Sequence, residues 1–102
     1  MSLTVELGEQ TLRITGALTA ESVTLHWPLP NQWFSRETLI LMLADVEHID
    51  SAGLAWLIEI EAQQRHAGGS VQWRDCPQRL KQLMTLYDLS LNQQRLTVRT
   101  ES

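Results

Sequence analysis

Reactive groups are few in this sequence, and most of them stand alone. The single cysteine, Cys76, and the three histidines, His26, His48 and His66, show no metal-ligand spacing with one another. Isolated histidines of this kind are usually surface or loop residues. Cys76 precedes Pro77 at an expected helix start, where a thiol pKa can fall. A structural role is nevertheless the stronger reading. Glu59 and Glu61 are two apart on an expected helix and point in different directions, so no paired-carboxylate acid/base site is indicated. Gly68-Gly69 reads as a turn, and no Gly-rich phosphate loop of the nucleotide-binding kind is present. The chain is therefore expected to be no enzyme and to need no metal or cofactor. What remains is Asp50-Ser51-Ala52-Gly53, a polar pair opening an apolar helical stretch. Asp and Ser side chains accept hydrogen bonds from the free N–H groups of a first helical turn. Ser51 is thus either a plain N-cap or a hydroxyl available for phosphorylation. A phosphate adds about −1.5 to −2 charges, which a helix N-terminus tolerates. It would change the charge of the surface rather than melt the helix, and Asp50 beside it would add to the repulsion of an acidic partner.

The elements that position this pair follow from pattern. Leu3-Thr4-Val5-Glu6-Leu7 and Thr11-Leu12-Arg13-Ile14-Thr15 both alternate as half-buried strands do, with Gly8-Glu9 as the turn of a hairpin and Gly16 marking its end. Thr19 to Trp27 reads as a helix, stopped by Pro28 and Pro30. Residues 27–37 are the least legible stretch. Leu39 to Leu43 is continuously apolar, as expected for a strand apolar on both faces at the centre of a sheet covered by helices. A helix over Ala52–His66 follows, ended by Gly68-Gly69. Val71-Gln72-Trp73 alternates again. Pro77 suits a helix start, and Leu80, Leu83, Met84 and Tyr87 form an apolar stripe. Leu96-Thr97-Val98 is a short terminal strand or a frayed end. The order β-β-α-β-α-β-α gives an α/β fold, with a mixed sheet that starts in a hairpin and carries packed helices.

On a wheel centred on Leu54, the helix after Asp50 places Ala55, Leu57, Ile58 and Ala62 on a broad core side. Glu61 falls there too, so the division is not clean. Trp56 and Ile60 lie near ~200° and ~240°, stacked on the other side. Two readings follow. Either the Trp27–Phe34 segment covers them, or they form an exposed docking patch, and the second is favoured because exposed apolar clusters with Trp mark interfaces. Gly53 allows close backbone approach at a cost of about 1 kcal/mol against Ala.

Bulk properties narrow the partner class. The 102 residues fit one domain, 43% hydrophobic and 20% charged, with net charge −4. Without basic runs, binding to nucleic acid or anionic lipid is disfavoured. One cysteine forms no internal disulfide and suits a reducing compartment. No apolar run approaches the ~20 residues of a membrane span, and the N-terminus lacks a signal-peptide pattern. A cytoplasmic location is expected, with no direct membrane insertion.

Asp50-Ser51-Ala52-Gly53-Leu54-Ala55 resembles the signature loop of STAS domains, the sulphate-transporter and anti-sigma-factor-antagonist family. The resemblance extends over nearly the whole chain. It takes in Ile14-Thr15-Gly16-Ala17-Leu18, the strand before Asp50, the Gly68-Gly69 turn and the final helix. It implies one STAS domain over residues 1–102, with Ser51 as the functional position and Asp50 and Gly53 as its motif neighbours. Two branches fit. Anti-sigma-factor antagonists use the motif Ser as a phosphorylation switch that controls binding to an anti-sigma kinase. MlaB-like subunits bind the cytoplasmic ATPase of a phospholipid-transport ABC complex that maintains outer-membrane lipid asymmetry, and so lie against the inner membrane through their partner. Thr85-Leu86-Tyr87-Asp88-Leu89, the stretch Val23-Thr24-Leu25-His26-Trp27-Pro28-Leu29 and the short length are similar to the second branch. Ser51 departs from its typical Thr and matches the first branch equally well. In either case the resemblance implies a partner surface at this helix end, comprising Asp50, Ser51, Gly53, Trp56 and Ile60.

Overall fold

The first two strands, β1 (Leu3–Leu7) and β2 (Thr11–Leu18), pair antiparallel as the expected hairpin. Then come α1 (Ala20–Thr24), a single 3-10 turn at Asn31–Trp33, β3 (Thr38–Ile49), α2 (Ser51–His66), β4 (Ser70–Arg74) and α3 (Gln78–Leu86). This computed structural model describes residues 2–86. Tyr87 and the Leu96–Val98 segment lie outside the described residues. The expected order of strands and helices holds, and the sheet is mixed, with order β1-β2-β3-β4 and parallel pairing of β2 with β3 and of β3 with β4.

Three expectations need correction. The first helix is five residues long rather than running to Trp27. Its last turn tightens, with Leu25 N–H donating to Ser22 O and His26 N–H to Val23 O. Trp27 then precedes a proline, a position that disfavours helical backbone. β2 does not end at Gly16 but continues to Leu18, and β3 runs beyond Leu43 to Ile49 against it. Register shifts between Arg13 and Thr15 and between Gly16 and Ala17 each leave one extra residue on β3.

The third correction concerns the faces of the sheet. Leu12 and Ile14 on β2 and Leu39, Leu41 and Leu43 on β3 are buried in one cluster with Leu54, Leu57 and Ile60 of α2 and Leu80 and Leu83 of α3. Among the described residues the helices pack on this one face. The alternate positions Ile40 and Met42 are half-buried on the opposite face. Met42 sits there between Arg13 and Arg74 in register, so long polar side chains flank the apolar strip.

The far end of α2 stops as expected. Gly68 adopts φ +101°, donating its N–H to Arg65 O, and Gly69 N–H donates to Gln64 O. This double bond pattern caps the last carbonyls of the helix.

Candidate docking site

β3 delivers Asp50 to the end of β2, where Asp50 N–H donates to Leu18 O at 3.0 Å. The carboxylate then serves two helices. Oδ1 accepts from Gly53 N–H at 3.0 Å, capping α2. Oδ2 accepts from the backbone N–H of Ala20, the first residue of α1, at 3.1 Å. Asp50 is therefore the N-cap, and Ser51 is the first helical residue. Ser51 is exposed, and its hydroxyl makes no hydrogen bond among the described residues. The plain N-cap reading of Ser51 gives way, because its neighbour already does that work.

Gly53 is buried and faces its own chain. A Cβ there would collide with the carbonyl group of Leu18 at the end of β2. The close approach expected of Gly53 is real, but it joins α2 to the sheet and presents no surface to a partner.

Trp56 and Ile60 are not a docking patch. Trp56 is 3% exposed and Ile60 0%. The segment after α1 closes over Trp56. The Trp33 ring meets Trp56 edge-on at 6.1 Å and 87°, and Phe34 packs on Trp33 at 6.4 Å. His26 meets Trp56 at 6.4 Å, and Trp56 Nε1–H donates to His26 O at 3.4 Å. The true core side of α2 carries Leu54, Trp56, Leu57, Ile60, Glu61 and Gln64. Ala55 and Ala62, expected inside, are exposed. Two alanines bury far less apolar area than a Trp and an Ile, so the helix turns its large side chains inward. Glu61 is drawn in with an Arg65 partner at 3.1 Å.

A different apolar surface lies next to Ser51. Between α1 and α2 runs a groove of about 460 Å³, lined by Val23, Thr24, Trp27, Ala52, Ala55, Trp56 and Glu59. Trp27 is 54% exposed on its rim, and Leu25 is 81% exposed. A second groove of about 620 Å³ shares Glu59 and continues along α2 past Ala62 to Ala67. Small side chains on the floor and a large exposed ring on the wall suit the entry of another protein's side chains. The sequence signal for this face was the spacing of Ala52, Ala55, Glu59 and Ala62, which share one side of a helix. Trp27 gave no periodic signal because it lies beyond the helix.

The remaining reactive groups stay apart. His26 Nε2–H donates to Leu3 O at 3.0 Å, a tie between the α1 exit and β1. His48 and His66 are exposed. Burial pushes the Cys76 thiol above its ordinary value, against the lowering expected at a helix start, and nearby Lys81 only partly offsets this. Among the described residues no group of three or more His, Cys, Asp or Glu side chains is placed to hold a metal ion, and no helix is long and apolar enough to cross a membrane.

A family model described as Mlab, STAS domain matches residues 1–97. The chain finds no significant match among curated proteins. STAS domains are in general non-enzymatic modules of protein–protein interaction and regulation. The match covers almost the whole sequence, and together with the mixed sheet and the Asp-Ser-x-Gly helix start it makes the chain a member of the Mlab group of the STAS domain family.

Proposed function

We propose that this chain, as one domain over residues 1–102, is a non-catalytic accessory subunit of an Mla-type phospholipid-transport ABC complex that maintains outer-membrane lipid asymmetry. It binds the cytoplasmic ATPase of that complex and lies against the inner membrane through that partner alone. The observation that carries the reading is the exposed Trp27 ring on a groove beside the unengaged Ser51 hydroxyl. The Mlab character of the family match supports the choice of partner. The contact surface comprises Ser51, Trp27, Ala52 and Ala55, with Asp50 and Gly53 shaping it from beneath.

The test is capture of the ATPase by purified variants whose folding is checked by thermal unfolding. Trp27→Glu is expected to weaken binding by about 2 kcal/mol or more, the scale of a central aromatic anchor. Ser51→Glu is expected to weaken it too, with an unchanged melting temperature. Wild-type affinity in both variants would remove this surface from the reading.

The free hydroxyl of Ser51 also favours a second reading, an anti-sigma-factor antagonist whose binding to an anti-sigma kinase is switched by phosphorylation of Ser51. Phosphoserine at Ser51 in protein isolated from its native host would support it. Its absence with and without stress would count against it.

A further inference from the structure

The two walls of the groove share one anchor. A carboxylate has two oxygens, and those of Asp50 are divided between the first turn of α2, through Gly53 N–H, and the first residue of α1, through Ala20 N–H. Both helices thus present a backbone N–H of their first turn to the same carboxylate. α2 has sixteen residues and packs on three strands, so it does not depend on this bond for its place. α1 has five, too few to be stable alone. Its other ties include the Ser22 hydroxyl, which donates to Ala17 O at 2.6 Å and accepts from Thr19 N–H at 3.0 Å, the buried Val23 side chain and, just past its end, His26 on Leu3 O.

We infer that Asp50 is a positioning residue that holds α1 against α2 and thereby sets the width of the groove. The consequence for docking rests on the partner surface proposed above; the holding of α1 does not. Asp50 need not touch the partner to matter for it, because α1 leads directly through the exposed Leu25 to Trp27 on the rim.

Asn and Ser cap helices about as well as Asp, so Asp50→Asn and Asp50→Ser keep the α2 cap. Neither can accept a second bond on the other side. The Asn amide presents N–H groups to the Ala20 N–H, and Ser has one short oxygen. Backbone amide exchange followed by NMR on the full chain tests this without any partner. The Val23, Leu25 and His26 amides are expected to exchange at least about fivefold faster in both variants, with Leu57 and Ile60 of α2 unchanged. The Trp27 indole resonance should shift as well. Wild-type exchange at Val23, Leu25 and His26 would overturn the inference. So would acceleration confined to Ala20, or loosening of α2 by the same factor as α1. The docking reading is judged separately, on the Trp27 and Ser51 variants.

Discussion

Gly53 and Leu18 show how much of the motif is packing. Ala exceeds Gly in helix propensity by about 1 kcal/mol, so an unconstrained first turn would gain from Gly53→Ala. Here the added methyl would meet the Leu18 backbone, which a side-chain rotation cannot clear. Gly53→Ala is expected to lower stability by about 1–3 kcal/mol in urea unfolding, reversing the propensity trend. Cys76 makes a second residue-scale prediction. Burial raises its folded-state pKa above the ordinary value of 9.0. The unfolded thiol then loses its proton first, so the stabilisation is complete below the unfolded pKa and is lost as pH rises through the folded one. Urea unfolding at increasing alkaline pH should show stability falling more steeply in the native chain than in Cys76→Ala. Parallel pH profiles would contradict it. Residue types alone identified Asp50 and Ser51 as cap candidates without choosing between them, because either side chain can accept the bond. The choice is made by where β3 releases the chain, a tertiary fact.

At the scale of elements, α2 is the instructive case. Its limits were readable from Asp50-Ser51 and Gly68-Gly69, since caps are local chemistry. Its rotation was not. A wheel centred on Leu54 weighs an alanine and a tryptophan as equally apolar, and the observed core side is turned by roughly 80° from that centre. Gln64 explains part of the difference. It is completely buried, yet its Oε1 accepts from Ser35 N–H at 3.0 Å and its Nε2 donates to Glu37 O at 2.6 Å and Ser70 O at 3.3 Å. A polar residue inside a helix stripe reads as a solvent position unless its backbone partners, here Ser35 and Glu37 far back in the sequence and Ser70 past the helix end, are known. Gln64→Leu fills similar volume but leaves Ser35 N–H without its acceptor, while Glu37 O keeps its bond from Ser70 N–H. It is expected to cost about 1–3 kcal/mol in thermal or urea unfolding.

For the molecule as a whole, the order of elements and the parallel pairing were legible because hydrophobic period and connection rules reach across tens of residues. The cover over Trp56 was not. It comes from residues 26–34, a stretch with two prolines and no period, whose rings find their place only against a finished helix. The second face of the sheet, which carries no helix among the described residues, was misread for a related reason. A continuous apolar run from Leu39 to Leu43 looks two-sided, but register sets Arg13 and Arg74 beside Met42.

The fastening of α2 at both ends has a consequence for how such a surface can diversify. Asp50 grips it at the start, and Gln64 with the Gly68-Gly69 turn grips it at the finish. The helix is a fixed beam, while the stretch carrying Leu25 and Trp27 hangs alongside it outside the sheet. Exchanging the Leu25 and Trp27 side chains, with His26 kept on Leu3 and Trp56, would give the same frame a new appetite, with the beam beneath left in place.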